Sequence, residues 1–250
     1  MQFVFFIQAR LGSSRLPRKI MLPFYKGDTI LDLLIKKLKD ISTNIVLATS
    51  DSIQDDLLEM VAEKHGIKCF RGVENDVLQR FIDAADEYSA EHIIRICSDN
   101  PFLDLLSMRQ LLQFVEDNED CYDYVSFDIW GSPSIKTHYG FWAEYVSLAA
   151  LKKVRSFTDD FFYHEHVTNY IYSHSKDFSI AWIKGPDCIK EHMNIRLTID
   201  TKDDFENAAK IYANLCVVKP YTTIPEIVTY LDNHPEYYRY MHEQILKNRK

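Results

Sequence analysis

The stretch FVFFIQARLGSSRLPRK, residues 3–19, joins a short apolar run to a basic loop. The apolar part has the length of a β-strand and ends at Gln8. It has no basic lead and no cleavage site, so we interpret it as a first strand rather than a signal peptide. The loop after it is a candidate ligand site, because open parallel sheets bind ligands beyond the carboxyl ends of their strands.

Further apolar runs of strand length follow at 45–49, 67–70 and 92–97, and segments with helical periodicity separate them. One of these helices is bounded by Ser52, a good N-cap residue, and by Gly66, a typical C-terminal glycine. Strands and helices therefore alternate along the first half of the chain. This order indicates a parallel sheet that is covered on both faces.

The predicted fold class is thus α/β, a mostly parallel twisted sheet with helices on both faces. We predict a single domain over 1–250, because no Pro/Gly/Ser-rich linker, repeat or low-complexity segment interrupts the chain. A less regular stretch, at about 128–175, is interpreted as a small insertion. After it, FSIAWIK at 178–184 and NIRLTID at 194–200 have the pattern of strands.

Composition narrows the class of protein. With 46% hydrophobic residues among 250, the chain can bury a substantial core. The net charge of -8 argues against a nucleic-acid partner, since phosphate backbones select basic faces. No run approaches the roughly 20 apolar residues of a membrane helix, so we expect no membrane association. Five dispersed cysteines without a CxxC pair indicate reduced thiols and a cytoplasmic protein.

The basic loop has the composition of a phosphate-binding segment. Gly12 and the serines beside it allow backbone N–H groups to approach a phosphate, and Arg10, Arg15 and Lys19 supply cations. Neither GxxxxGK[ST] nor GxGxxG is present, so side chains would hold most of the phosphate charge. The alternative interpretation is a basic loop that is merely solvated.

Arg95 is a cation within the apolar strand at 92–97. A buried arginine costs several kcal/mol unless an anion meets it. Two interpretations remain open. The guanidinium is oriented toward Asp99 or a bound phosphate, or it forms a buried pair with an acidic residue of another strand.

Two aspartates end apolar strand patterns. Asp99 follows the strand of Arg95, and Asp200 ends NIRLTID. Mg²⁺ is commonly bound by one or two carboxylates together with phosphate oxygens, so both are candidate metal ligands. Asp200 also precedes a helical pattern, which makes a helix N-cap or a first-turn partner of the helix dipole its alternative role.

Several motifs occur in the order of a known family. They are IQARLGSSRLPRK at 7–19, VLATS at 46–50, FRGVENDVLQRF at 70–81, RICSDNPFLD at 95–104, EHVTNYIY at 165–172 and IRLTIDTKDDFE at 195–206. The chain resembles the nucleotidyltransferases of the spore-coat polysaccharide type, relatives of the cytidylyltransferases that activate 2-keto sugar acids. The resemblance implies a nucleotide-diphospho-sugar transferase fold of the glycosyltransferase-A kind. It also implies transfer of CMP from CTP to an anionic acceptor, with Mg²⁺ as cofactor.

The same resemblance assigns roles to residues. The catalytic residues would be Lys19, Arg15 and Asp99, and the metal ligands would be Asp99 and Asp200. The nucleotide would be bound by Gln8, Ala9, Arg10, Gly12, Ser13, Arg15, Lys19, Arg71, Gly72, Asp76, Arg95 and Ser98. Of these, Arg71, Gly72 and Asp76 would lie near the ribose and base. The acceptor would be bound by Tyr139, Trp142 and Glu144, and Glu165, His166 and Thr168 would face the acceptor or support the site.

The segment GFWAE at 140–144 departs from the family pattern, because Trp142 stands where an acid is expected. The acceptor is therefore left open as a sugar acid, a sugar or polyol phosphate, or a phosphonate, with a role in surface or capsule polysaccharide biosynthesis. Asn100 is a second departure, at a position where cysteine is common. By analogy with the family, we expect a homodimer formed through 128–175, which would also contribute to acceptor binding.

Two alternatives belong to other function classes. A glycosyltransferase on the same fold would use a nucleotide-sugar donor, commonly through a D-x-D motif, and the chain has no D-x-D triplet. An inactive nucleotide-binding module would consume no substrate. A zinc site at HEH, 164–166, lacks the HExxH spacing and is not favoured.

Overall fold

The computed structural model describes residues 1–217 and 221–247. A seven-stranded sheet forms the centre, in the order β5-β4-β1-β6-β8-β7-β9. Its strands are β1 (Phe3–Gln8), β4 (Ile45–Ser50), β5 (Lys68–Gly72), β6 (His92–Cys97), β7 (Tyr124–Asp128), β8 (Glu144–Ser147) and β9 (Ile180–Lys184). A separate antiparallel pair is formed by β2 (Pro23–Tyr25) and β3 (Asp28–Thr29).

The predicted fold class is confirmed. β1 pairs in parallel with β4 and β6, β4 with β5, and β7 with β9. β8 is the exception, because it runs antiparallel to both of its neighbours. The carboxyl ends of the parallel strands β1, β4, β5 and β6 therefore meet at one edge of the sheet.

Helices surround the sheet. They are α1 (Ile30–Lys39), α2 (Asp56–His65), α3 (Val77–Glu87), α4 (Leu105–Asp117), α5 (Leu148–Phe157), α6 (Phe161–Glu165), α7 (Asn169–Ser173), α8 (Lys202–Leu215), α9 (Ile224–Asp232) and α10 (Pro235–Lys247). Among the described residues no helix is both long enough and apolar enough to cross a bilayer.

Both faces of β1 are buried, which explains why residues 3–7 are apolar throughout. Phe5 and Ile7 belong to one hydrophobic cluster, and Val4 and Phe6 belong to another. Successive side chains of a strand point to opposite faces, so β1 supplies both cores at once. The expected helix end at Gly66 is also present, with the left-handed backbone that glycine allows (φ 58°).

Two local predictions need correction. The pattern of NIRLTID at 194–200 predicts a strand, but the segment is not one. Its apolar residues Ile195, Leu197 and Ile199, at alternate positions, are buried. Its backbone bonds to loops instead, with Leu197 N donating to His138 O at 2.8 Å and Ile199 N to Asp99 O at 3.3 Å.

The stretch 128–175, expected to be an insertion, contributes β8 to the interior of the sheet. Its less regular part lies at the start of the range. There the described backbone forms loops and one short 3-10 turn, Ser134–Lys136. The range therefore forms part of the central sheet and is not a surface insertion.

Candidate active site

The basic loop folds back against the neighbouring strand. Leu11 N donates to Asp55 Oδ1 at 2.8 Å, and the buried carboxylate of Asp55 also accepts hydrogen bonds from Thr49 and Ser50. Arg18 N donates to Leu11 O at 3.1 Å and closes the loop. These bonds hold the loop beyond the ends of β1 and β4. The sequence does not predict this role of Asp55, because its partner Leu11 lies 44 residues away along the chain.

Three cations of the loop, Arg10, Arg15 and Lys19, each meet a carboxylate from a distant segment. Arg10 Nη2 lies 2.7 Å from Glu165 Oε1, and Arg15 Nη2 lies 2.6 Å from Asp200 Oδ1. Lys19 is the least exposed of the three, with 13% of its side-chain surface accessible. The loop is therefore not simply solvated, because Arg15 and Lys19 meet Asp200 and Asp99, the two candidate metal ligands.

Lys19 lies between the two predicted metal ligands. Its Nζ is 2.7 Å from Asp99 Oδ2 and 4.0 Å from Asp200 Oδ1. It also donates a hydrogen bond to the backbone oxygen of Ile199. Three oxygen atoms thus surround one cationic group. Oxygen ligands of this kind suit a hard divalent cation, and two carboxylates are the usual protein share of a magnesium–nucleotide site.

Asp200 is held from the other side by Arg196. Arg196 Nη2 donates to Asp200 Oδ2 at 2.9 Å, and Arg196 Nε donates to Asp204 Oδ1 at 2.8 Å. Burial alone would lower the pKa of Arg196, but the hydrogen bond to Asp204 raises it above its ordinary value. The N-cap of α8 is Thr201, so the alternative role of Asp200 as that cap is wrong. Arg196 was not among the predicted site residues.

Two cavities adjoin this cluster. The first, of about 270 Å³, has a lining that includes eight of the predicted site residues: Gln8, Arg10, Gly12, Ser13, Arg15, Lys19, Ser98 and Asp99. The second is larger, at about 790 Å³, and the predicted residues in its lining are Arg15, Arg95, Asp99, Trp142, His166, Thr168 and Asp200. Arg15, Cys97 and Asp99 line both cavities, so the two spaces meet at these residues.

Arg95 forms the buried ion pair. Its Nη1 lies 2.5 Å from Glu144 Oε2, and its Nε and Nη2 donate to Gln8 Oε1 at 3.1 and 2.9 Å. The other interpretation, a guanidinium oriented toward Asp99 or a phosphate, is wrong. β6 and β8 place Arg95 directly opposite Glu144 in their antiparallel register. This register is the physical reason for the pair.

Glu144 was expected at the acceptor, and the structure contradicts that position. Its residue surface is only 2% exposed. Tyr124 Oη donates to Oε1 of Glu144, and Thr168 Oγ1 donates to Oε2 at 3.2 Å. Both carboxylate oxygens therefore have partners within the protein, and Glu144 supports Arg95 and Thr168 from below the second cavity.

The residues predicted near the ribose and base lie outside both cavities. Arg71 is the penultimate residue of β5, and its guanidinium lies 2.6 Å from Asp56 and 3.2 Å from Glu59. Asp76 is the N-cap of α3, and its other oxygen lies 2.8 Å from His164 Nδ1. Contacts within the protein therefore occupy both side chains.

Two backbone positions complete the predicted nucleotide-binding set. A Cβ on Gly72 would lie 2.9 Å from the ring of Phe70, which explains the glycine by close packing. Ala9 is buried, and its N–H joins the loop to Ala48 O at 3.2 Å. Neither residue lines either cavity.

The remaining acceptor-side residues divide into two groups. Tyr139 and Trp142 are buried in an aromatic cluster with ring centroids 5.7 Å apart, and of the two only Trp142 lines the second cavity. His166 and Thr168 line it from the α6–α7 segment. Glu165 is turned toward Arg10, so it connects that segment to the basic loop.

Cys97 lies at the junction of the two cavities. Burial raises the pKa of its thiol to about 11. The thiol is therefore protonated near neutral pH and a poor nucleophile. No group of three or more His, Cys, Asp or Glu side chains in the described part of the chain is arranged to hold a metal ion by itself, and His164 of the HEH stretch is engaged by Asp76.

Comparison with known proteins gives consistent results. A family model described as cytidylyltransferase matches residues 4–221. The spore coat polysaccharide biosynthesis protein SpsF of Bacillus subtilis (strain 168) is 31% identical over 242 residues, which cover 93% of this chain and 95% of that protein.

Solved structures show the same relationship. A cytidylyltransferase from Leptospira borgpetersenii serovar Hardjo-bovis (strain JB197) has a TM-score of 0.83 and 27% identity, and the match covers 95% of this chain and 96% of that one. A CMP:2-keto-3-deoxy-manno-octonic acid synthetase complexed with CTP has a TM-score of 0.63, with 84% of this chain and 98% of that one covered. At 13% identity, this second likeness concerns the fold alone.

Proposed function

This chain belongs to the cytidylyltransferase family, and from that membership we propose that it transfers CMP from CTP to a small anionic acceptor and releases pyrophosphate. It is a nucleotidyltransferase. The acceptor classes that we propose are a sugar acid, a sugar or polyol phosphate, and a phosphonate. The proposed setting is the synthesis of surface or capsule polysaccharide, in line with the name of its Bacillus subtilis relative.

One observation supports this reaction above others: two cavities of different size meet at Arg15, Cys97 and Asp99. A transfer reaction needs a donor and an acceptor in contact at one atom. The first cavity has the cations and backbone N–H groups that suit a triphosphate. The second, with about 790 Å³, has room for the acceptor. The α-phosphorus of CTP would lie where the two cavities join.

The proposed chemistry is an in-line displacement at that phosphorus. An oxygen of the acceptor forms the new P–O bond, and the bond from the α-phosphorus to the bridging oxygen of pyrophosphate breaks. The electron pair leaves with pyrophosphate, and a hydroxyl acceptor also loses its proton. Positioning and electrostatic stabilisation supply most of the rate in such reactions. Lys19 and Arg15, which lie in the first cavity, would neutralise the leaving pyrophosphate.

Asp99 and Asp200 would hold Mg²⁺. The fit rests on the ammonium of Lys19, which lies between these carboxylates and the carbonyl of Ile199 and marks a position suited to a cation. A bound divalent ion supplies charge neutralisation at the phosphate oxygens. Arg196 would keep Asp200 oriented, because its guanidinium already binds the second oxygen of that carboxylate.

The second cavity supports an anionic acceptor. Lys136 lines it and forms no ion pair with any residue of 1–217 or 221–247. Its ammonium lies 5.2 Å from the ring centroid of Tyr172. The lining also contains Trp142 and Phe162, whose rings could contact apolar faces of the acceptor. An acceptor with a carboxylate or phosphate at one end and a carbon skeleton beyond it matches these surfaces.

Three further parts of the proposal rest on the family and the sequence. The proposed base of the nucleotide is cytosine. The proposed assembly is a homodimer formed through 128–175, and the proposed location is the cytoplasm. Within that range, Phe161 of α6 is 60% exposed and Phe162 is 50% exposed, which is consistent with a contact surface. Light scattering at micromolar concentration tests the dimer, and a monomer would contradict it.

The reaction itself is tested with purified protein, CTP, Mg²⁺ and a pyrophosphatase, across a panel of sugar acids, phosphorylated sugars and polyols, and phosphonates. We expect phosphate release that depends on both CTP and one class of acceptor. A requirement for a nucleotide-sugar donor would favour a glycosyltransferase instead. If no acceptor of the panel leads to consumption of CTP, the proposed substrate class is wrong.

A further inference from the structure

The side chain of Gln8 has a defined orientation. Gln8 is the last residue of β1 and lines the first cavity. Its Oε1 accepts two hydrogen bonds from Arg95, from Nε at 3.1 Å and from Nη2 at 2.9 Å. A guanidinium only donates hydrogen bonds, so the atom that faces it must be the amide oxygen. The NH₂ group of Gln8 is therefore the part left for other contacts.

That NH₂ group has no hydrogen-bond partner within the described parts of the chain, 1–217 and 221–247. We propose that it donates a hydrogen bond to bound nucleotide, and that Arg95 is the positioning residue that sets the polarity of the amide. The proposal rests on the nucleotide site described above. The accepting atom is a lone-pair atom of the nucleotide, on the cytidine part or on a phosphate.

Arg95 can fix this orientation because it cannot move freely itself. Its third donor, Nη1, is bound by the buried carboxylate of Glu144, which stands opposite it in the sheet. Glu144 is held in turn by Tyr124 and Thr168. Rotation of the Gln8 amide by half a turn would direct its NH₂ at a buried guanidinium, with donor facing donor, and is strongly disfavoured.

The arrangement also connects the two cavities. Gln8 lines the first cavity, whereas Arg95 and Thr168 line the second. The ion pair of Arg95 and Glu144 therefore lies beneath the junction at which donor and acceptor would meet. A change at Glu144 would reach the nucleotide through Arg95 and Gln8, without any direct contact with either substrate.

The test uses two variants of Gln8 and measures CTP binding by calorimetry with Mg²⁺ present. Gln8→Glu keeps an oxygen for Arg95 and removes the donor, and Gln8→Met removes the donor without adding charge. We expect each to raise the Kd for CTP at least tenfold. Thermal stability should stay near that of the wild type for Gln8→Glu and fall for Gln8→Met, which also removes the acceptor of two Arg95 N–H groups. Gln110→Glu, on the exposed face of α4, is the matched control for the added charge and should leave the Kd unchanged.

Arg95→Lys tests the positioning role. It keeps the positive charge beside Glu144 but cannot bind Oε1 through two donors in one plane. We expect weaker CTP binding, and in combination with Gln8→Met little further loss, because both changes remove the same oriented donor. Additive effects of the two substitutions would overturn the role of Arg95.

Binding of tripolyphosphate identifies the accepting atom. If the Gln8 variants weaken CTP binding but not tripolyphosphate binding, the bond is to the cytidine part; if both weaken equally, it is to a phosphate. Unchanged CTP binding by Gln8→Met overturns the inference and leaves the proposed function intact. Wild-type protein that binds no CTP overturns both.

Discussion

Nζ of Lys19 lies 2.7 Å from Oδ2 of Asp99, and the same ammonium lies 4.0 Å from Asp200. One side chain of the basic loop therefore fills the space between the two proposed metal ligands. A divalent cation and this ammonium would occupy the same space. When Mg²⁺ and CTP bind, Lys19 would be displaced toward the phosphates, where the proposed reaction needs its charge.

Competition of this kind predicts that Lys19→Met strengthens metal binding in the absence of nucleotide. The substitution removes a competing cation and leaves both carboxylates in place. We expect the affinity for Mn²⁺, measured by electron paramagnetic resonance of the free ion, to rise about tenfold, which corresponds to about 1.4 kcal/mol. Lys176→Met, an exposed lysine outside the site, is the control. Equal or weaker Mn²⁺ binding by Lys19→Met would contradict the competition.

Although loss of the Lys19 ammonium should strengthen metal binding, it should lower kcat. Lys19→Ala removes a contact that is proposed to stabilise the leaving pyrophosphate in the transition state. Loss of such a contact costs about 3–4 kcal/mol and lowers kcat by about 10²–10³-fold. The measurement is pyrophosphate release with CTP and the acceptor at saturation. A kcat near that of the wild type would rule out this role for Lys19.

The ion pair of Arg95 and Glu144 predicts a large effect on stability. Glu144→Ala leaves a buried guanidinium without its counter-ion, and breaking a buried pair in this way costs about 3–5 kcal/mol of unfolding free energy. Urea denaturation measures it. The exposed pair of Lys152 and Asp86, at 2.6 Å, provides the control. Asp86→Ala should cost no more than about 1 kcal/mol, because exposed pairs contribute little. Similar losses for both variants would contradict the account.

Lys37 predicts a dependence of stability on pH. Burial lowers the pKa of its ammonium from 10.5 to about 8, although the group donates to the carbonyls of Pro101 and Leu103. Between these two pH values the unfolded chain binds the proton and the folded chain does not, so stability rises with pH. Below about pH 8 both states are protonated and the full cost of burying the charge remains.

The comparison with Lys37→Met isolates this effect. The unfolding free energy of the wild type minus that of the variant should rise by about 3 kcal/mol from pH 8 to 10.5. Other titrating groups cancel in the difference. The carbonyls that lose their donor add a constant offset, which does not depend on pH. A difference that stays flat over this range would show that folding does not lower the pKa of Lys37.

The sequence predicts the fold and the basic loop well, since apolar periodicity and loop composition are local signals. It leaves Arg95 ambiguous, because its partner depends on which strand lies beside β6 and in which register. Asp55 and Arg196 support the site through contacts that only the folded chain creates. NIRLTID has a strand pattern because one face is buried, but loops rather than a strand accept its hydrogen bonds.

The central claim is that the basic loop and the two aspartates form one site for CTP and a divalent cation. A crystal structure of the protein with CTP and Mg²⁺ tests this most directly. We expect the triphosphate within hydrogen-bonding distance of Arg15 and Lys19, with the metal ion bound to Asp99 and Asp200. CTP bound elsewhere, with Lys19 still between the two carboxylates, would contradict the account.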